Sequence, residues 1–211
     1  DRQAGILART DLTAPTLPMA LTMKTPGGEA RTYKVRLAHH RLLTPRLVRS
    51  VVASAVDEAM GDVTHATFTM RTRLDLAGRK PINFVEHFYA RGGVLGPITR
   101  AARGVKVLKS LMNNPFGPVT LKRVDIKGDI NYAHEMVEIT GVRLSRNVLA
   151  PGERVNVRVS FRPHGGKEYT RAYPLTIPAN LSGSMLKLQV AAGTRVAREM
   201  AAPENLTQYI A

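Results

Sequence analysis

Hydrophobic and polar residues alternate with a period of two over several segments in the first half of the chain. In "ARTYKVRLAH" the apolar positions are Tyr33, Val35 and Leu37. An extended run from Leu17 to Lys24 precedes them, and Pro26-Gly27-Gly28 joins the two segments. Alternation on both sides of a Pro-Gly turn predicts a β-hairpin with one buried face.

The period then changes to that of a helix. In "LTPRLVRSVVASAVDEAMGD", Thr44 has the residue type of an N-cap, Pro45 suits a first helical position, and Gly61 ends the run. The predicted helix has about four turns. Its apolar face consists of Leu47, Val48, Val51, Val52 and Val56.

A second hairpin and a second helix follow. Residues 63–76 alternate again, and a strand is predicted over Ile82–Tyr89. In "GPITRAARGVKVLKSLMNN" the helical spacing is carried by Ile98, Val105, Leu108 and Leu111. Gly104 weakens the middle of that helix, and Pro115 with Gly117 stops it. Residues 1–115 are therefore predicted to form an α+β lobe.

Beyond residue 115 the pattern indicates strands and turns alone. The clearest strand is "RVNVRVSFRP", with Val155, Val157, Val159 and Phe161 on one face. Further strands are predicted in "TLKRVDIKGDI", "HEMVEITGVRLS", Tyr169–Ile177 and "SMLKLQVAAG". The predicted class is α+β to mainly β. Residues 116–211 are expected to form an immunoglobulin-like β-sandwich with a short terminal helix over 203–210.

The net charge of +15 indicates that the protein is attracted to anionic partners. Residues 1–105 hold 16 basic and 8 acidic side chains and residues 106–211 hold 15 and 8, so neither half is a basic tail. Cysteine is absent, which excludes disulfides, cysteine zinc sites and a thiol nucleophile. Because the chain opens without a secretory pattern or an apolar membrane span, we expect a soluble protein or a piece whose export signal was removed.

Four cations fall at three-residue intervals on the second predicted helix: Arg100, Arg103, Lys106 and Lys109. Residues three apart share one side of a helix, so these four predict a basic stripe. Three interpretations stay open: a site for nucleic acid, a site for an anionic envelope polymer or lipid surface, or a solvated face. The low aromatic content of 5% and the absence of tryptophan make nucleic acid the less favoured ligand.

Ser184, in "NLSGSM", is the candidate nucleophile, because several serine hydrolases present theirs beside small residues. A catalytic serine also needs a base and oxyanion donors, which the sequence does not supply. Between two predicted strands, Asn, Ser and Gly are typical of a turn. The six histidines and the carboxylates lack the spacing of a metal site or an acid–base pair. We therefore predict a non-enzyme without cofactor or metal.

Three segments, taken in order, carry a family resemblance: "LTPRLVRSVVASAV", "LMNNPFGPVTLKRVDI" and "VLAPGERVNVRVSFRPHGGKEYTRAYPLTIPANLSGSMLKLQVAAG". Their layout resembles the non-peptidase C-terminal region of large exported bacterial proteins with an N-terminal SpoIVB-type serine peptidase domain. That family places its nucleophile in Gly-Met-Ser-Gly-Ser-Pro. Residues 180–185 lack the leading Gly and the closing Pro, so no catalytic role transfers to them.

The resemblance implies an accessory role outside the cytoplasm. We expect an exported, periplasmic or cell-envelope location, with a protein partner or the peptidase domain of the same polypeptide as the contact. A β-sandwich could hold such a partner by accepting an extended peptide along a sheet edge. The alternative is a free-standing basic protein that binds polyanions through the stripe.

Overall fold

The computed structural model describes residues 13–91, 103–117, 119–180, 183, 185, 187–191 and 205. Within these ranges the protein is mainly β, with eight strands in two sheets and two helices, which agrees with the predicted class. In chain order the elements are β1 (Thr16–Lys24), β2 (Arg31–Ala38), α1 (Leu43–Met60), β3 (His65–Leu76), β4 (Ile82–Arg91), α2 (Arg103–Met112), β5 (Leu121–Asn131), β6 (Val137–Leu144), β7 (Arg154–Pro163) and β8 (Tyr169–Thr176). Neither described helix has the length and apolar character needed to cross a membrane.

The first compact unit is built on a five-stranded sheet of order β2-β1-β5-β3-β4. Both predicted hairpins are confirmed, since β1 pairs antiparallel with β2 and β3 pairs antiparallel with β4. Gly27 has a φ of 68° in the first turn, a conformation that glycine adopts without steric cost. The last strand, β5, inserts between the hairpins, parallel to β1 and antiparallel to β3.

Both helices cover one face of this sheet: α1 contacts β1 and β2, and α2 contacts β3 and β4. Most of the side chains that point toward them are apolar and buried, including Leu17, Met19, Leu21, Phe68, Leu74, Val124 and Ile126, and the buried polar residues Thr72 and Glu86 lie on the same face. On the helices the buried residues include Val48, Val52 and Val56 of α1, and Val105, Leu108 and Leu111 of α2. The predicted apolar faces of both helices therefore form the core, although Ile98 lies outside the described residues.

Helix α1 begins earlier than its capping pattern predicts. Thr44 lies inside the first turn, and its hydroxyl donates to the Ala38 carbonyl at 2.7 Å and accepts from the His40 N–H at 2.8 Å. His40 Nδ1 accepts from the N–H groups of Leu42 and Leu43 at 3.2 and 3.3 Å. Because the first four N–H groups of a helix lack partners within it, the His40 imidazole takes over the capping role predicted for Thr44.

Glu58 ties α1 to the sheet edge at β2. Its carboxylate accepts from the Tyr33 hydroxyl at 2.8 Å and from Arg31 Nη1 at 2.6 Å. These two hydrogen bonds, that of Tyr33 first, favour the charged carboxylate and lower the pKa of Glu58 below its ordinary value of 4.5.

This network predicts an acid-sensitive contribution to stability. A carboxyl group with a lowered folded-state pKa stabilises the fold above its unfolded pKa, and the contribution disappears as the pH falls through the folded-state value. Glu58→Gln is therefore expected to have a lower melting temperature than the wild type near neutral pH, and the difference is expected to disappear as the pH falls through the lowered folded-state pKa of Glu58. Thermal melts of both proteins across that range measure it, and a difference independent of pH would contradict it.

The strand β5 corrects the predicted domain organisation. The sequence pattern predicts "TLKRVDIKGDI" as a strand of the second domain, yet β5 forms the centre of the first sheet. The two compact units divide between Ala133 and His134 rather than near residue 115. The physical reason is burial: β5 supplies Val124, Ile126 and Ile130 to the core beneath the helices.

The second unit contains a three-stranded antiparallel sheet of order β6-β7-β8. Val155, Val157 and Val159 of β7 are buried, as their alternation predicts. The prediction of a strand in "SMLKLQVAAG" is wrong for the residues of that segment that the structure describes, because Met185 and 187–191 have no regular secondary structure. The described residues of this unit form one sheet, so the immunoglobulin-like sandwich stays a prediction. The terminal helix predicted over 203–210 lies outside the described residues except for Asn205, which is in a bend.

Candidate anion-binding surface

The five-stranded sheet has a second face, opposite the helices, where polar residues of all five strands meet. Side chains alternate between faces along a strand, so residues neighbouring the buried ones point to this open face. Directly paired residues share a face, and the register therefore places them in rows across the sheet.

Two such rows define the centre of the open face. From β2 to β4 the first row is Lys34, Ala20, Asp125, Arg73 and Asn83. In the same order the second row is Thr32, Thr22, Lys127, Arg71 and Val85. Small residues on β1 and β2 lie between long basic side chains, and the resulting shallow trough has a volume of about 570 Å³.

The trough is strongly basic. Five cations and one carboxylate line it: Lys34, Arg71, Arg73, Arg123, Lys127 and Asp125. Cations concentrated on one surface produce a positive potential that attracts and retains anions. Counting Asp75 and Asp129, which pair with its arginines, the trough holds five cations and three carboxylates and is one basic surface of the first unit.

Each arginine of the trough is held by a carboxylate. The pairs are Arg71 with Asp129, Arg73 with Asp75, and Arg123 with Asp125. In the last two, Nε donates to a carboxylate oxygen at 2.8 and 2.7 Å. A guanidinium carries five N–H donors, so each pair fixes the group and leaves donors for a ligand.

The two lysines differ from the arginines. Among the described residues neither Lys34 nor Lys127 has an ion pair. They lie on β2 and β5, with β1 between them, which separates their strands by roughly 10 Å. An anion that crosses β1 therefore meets an uncompensated ammonium group on each side.

The structure places the predicted basic stripe elsewhere. Arg100 lies outside the described residues, and Arg103 is described only as the first residue of α2. Lys106 and Lys109 are exposed on α2, which covers the opposite face of the sheet from the trough. The residues of the trough and those of the stripe thus belong to two separate surfaces.

No family model, curated protein or solved structure matches this chain.

The other candidates considered from the sequence are Ser184, the histidines and the carboxylates. Ser184 lies outside the described residues. In the described ranges no three His, Cys, Asp or Glu side chains cluster as they would around a metal ion. His134 and His164 contact each other with ring centroids 4.2 Å apart in the second unit.

Sequence reasoning did not select the trough, although a signal for it exists. Basic residues recur at every second position on the polar side of two strands, as Lys34 and Arg36 in β2 and as Arg71 and Arg73 in β3. This spacing places each pair on one face of its strand. Their meeting with Lys127 depends on the pairing of β5 with β1 and β3, which involves residues about 100 and 55 positions apart in the chain.

Proposed function

We propose that this chain is a non-catalytic binding module and that the trough on the open sheet face holds an extended anionic polymer. The observation that carries the proposal is a set of three guanidinium groups on β3 and β5, each held by a carboxylate, together with two ammonium groups that have no ion pair among the described residues, those of Lys34 on β2 and Lys127 on β5. A shallow open trough suits a chain that lies across the strands, because small ligands generally need a more enclosed pocket.

The lining also indicates which polyanion fits. Proteins that bind single-stranded nucleic acids combine basic grooves with aromatic rings on which bases stack. Among the described residues at the trough Phe84 is the one aromatic, and the strand register places its half-buried side chain on the helix-facing side of the sheet, in line with Thr72 and Ile126. Charge recognition without base stacking favours a polymer whose anionic groups are its main feature, such as polyphosphate or an anionic envelope polymer.

The resemblance to the C-terminal region of SpoIVB-type proteins supports the same role. In that family the nucleophile belongs to a separate peptidase domain, and an accessory region would bind rather than react. We place the protein at the cell envelope on this basis, as an exported or periplasmic accessory region that contacts an anionic polymer. We also propose that the three-stranded sheet of the second unit is one of the two sheets of an immunoglobulin-like sandwich.

A pair of double variants tests the site. Lys34→Gln/Lys127→Gln removes the two ammonium groups of the trough, and Lys106→Gln/Lys109→Gln removes two exposed cations from α2. Both variants lose the same net charge, so long-range attraction to a polyanion falls equally in each. Any difference between them reports on the local contacts.

The wild type is expected to bind long-chain polyphosphate with an affinity that falls steeply with salt. The trough variant is expected to bind about tenfold more weakly, since two exposed ion pairs contribute roughly 1–2 kcal/mol together. The α2 variant should stay within about twofold of the wild type. Calorimetric titrations at two salt concentrations, with an oligothymidylate and anionic vesicles as comparison ligands, make the measurement. Equal losses in both variants, or no polyphosphate binding by the wild type, would refute the proposal.

A further inference from the structure

Within the described residues the strand β6 is an edge of the three-stranded sheet, and several of its exposed side chains are apolar. Val137, Val142 and Leu144 are 44%, 41% and 37% exposed. An edge strand presents unpaired backbone groups and can template pairing with another chain unless proline, charge or a cover prevents it. The opposite edge, β8, contains such a proline at Pro174.

Hydrogen bonds next to the strand ends show which backbone groups point outward. The N–H of Ser145 donates to the Asn156 carbonyl at 3.2 Å, so Ser145 bonds inward toward β7. Along an antiparallel strand, residues whose backbone N–H and C=O point to the neighbouring strand alternate with residues whose backbone groups point away from it. With the bulge between Ile139 and Gly141, the residues of β6 whose backbone groups point away from β7 are Val137, Ile139, Val142 and Leu144.

The same reasoning explains Pro174. The Ile177 N–H donates to the Glu153 carbonyl at 2.9 Å, so odd-numbered residues of β8 bond to β7 and even-numbered residues face outward. Pro174 therefore removes a donor from the outer edge without weakening the sheet. Of the two edges, β8 is blocked in this way and β6 is not.

The sequence of β6, "VEITGVRL", is complementary to itself when two copies run antiparallel. Around a two-fold axis between residues 140 and 141, Val137 lies opposite Leu144 and Ile139 lies opposite Val142. In that register outward-facing backbone groups meet outward-facing groups, as an antiparallel ladder requires. The bulge keeps all four apolar side chains on one face, so they form apolar pairs across the axis.

Charge complementarity points to the same register. Glu138 lies opposite Arg143 of the second copy, and the symmetry makes this pair twice. Within one chain Arg143 is directly opposite Arg158 of β7, a like-charge pair, and neither has an ion pair among the described residues. In its own chain Glu138 accepts from Arg162 Nη2 at 3.0 Å, and in this register its carboxylate would also lie beside Arg143 of the second copy.

We infer that β6 pairs antiparallel with β6 of a second copy, joining two three-stranded sheets into a continuous six-stranded sheet. The occupant of this edge is thus another copy of the chain. The interaction is independent of the trough, which belongs to the first unit.

Charge reversal gives a test that separates pairing from damage to the fold. Glu138→Arg places arginines opposite Arg143, and Arg143→Glu places glutamates opposite Glu138, so each variant repels itself. Mixed together, the two variants match at both positions and are expected to form a heterodimer. The double variant, which exchanges the two charges, is expected to pair with itself again.

Sedimentation velocity at about 1 to 200 µM measures the association. The wild type is expected to dimerise, each single variant to dissociate at least tenfold more readily, and their mixture to recover the dimer to within about threefold. Val142→Pro, which removes an outward N–H as Pro174 does in β8, is expected to be a folded monomer by circular dichroism. A wild type that stays monomeric, or single variants that dimerise normally, would overturn the inference.

Discussion

Phe68→Ala is expected to lower the free energy of unfolding of the first unit by about 3–5 kcal/mol. Phe68 is 0% exposed in the strand β3 and stacks on Phe88 with ring centroids 5.1 Å apart. Its partner on the other side is Ile130 of β5. Removing the ring leaves a cavity between three strands and the helices, which the paired strands cannot close.

Urea unfolding followed by far-ultraviolet circular dichroism measures this loss, with Val85→Ala as the control. Val85 lies on β4, on the open face, and is 60% exposed, so its truncation should change stability by less than about 0.5 kcal/mol. Comparable losses for the two variants would show that the core is not where the burial pattern places it.

Gly104→Val is expected to lower stability by about 1–3 kcal/mol, although valine has a better helix propensity than glycine. Gly104 lies in the first turn of α2, directly above Thr72 of β3. A Cβ at this position would lie 2.8–2.9 Å from three side-chain atoms of Thr72, closer than non-bonded atoms approach. Thr72 is buried and β-branched in a strand paired on both sides, so it has little freedom to move.

The matched control is Ser110→Val in the same helix, where the side chain is exposed. Because the two substitutions introduce the same residue, a larger loss at Gly104 isolates the contact between α2 and the sheet. Thermal melts at one pH are sufficient for the comparison. A stabilising effect at Gly104 would mean that α2 can move away from β3 without cost. The glycine that weakens this helix in a sequence reading is the residue that allows its close packing.

The local elements of the fold were predictable because each depends on residues close in the sequence. The hairpins, both helices and β7 follow from periods of 2.0 and 3.6 and from nearby turn residues. The position of β5 was not predictable in this way. Its alternation of Val124, Ile126 and Ile130 with polar residues fits any half-buried strand, and nothing local distinguishes the first sheet from the second.

The same limit applies to the two candidate anion-binding surfaces, because a basic stripe on a helix is visible in the sequence and a surface formed by paired strands is not. Lys106 and Lys109 share one side of a helix within a single turn, whereas Lys34, Arg71 and Lys127 come together only after four strands, β2, β1, β5 and β3, have paired. The net charge predicts an attraction to polyanions as a general physical tendency, and this stays a prediction. The surface that concentrates this charge required the strand order.

The central place of β5 has a consequence for synthesis on the ribosome. Each half of the first unit, β1-β2-α1 and β3-β4-α2, emerges as a hairpin followed by a helix, and the strand that joins them emerges last. Until residue 131 has left the exit tunnel, the inner edges of β1 and β3 have no common neighbour. A nascent chain stalled at residue 115 would therefore expose two unjoined sheet edges to chaperones. The sheet of this unit can be completed only after β5 has emerged.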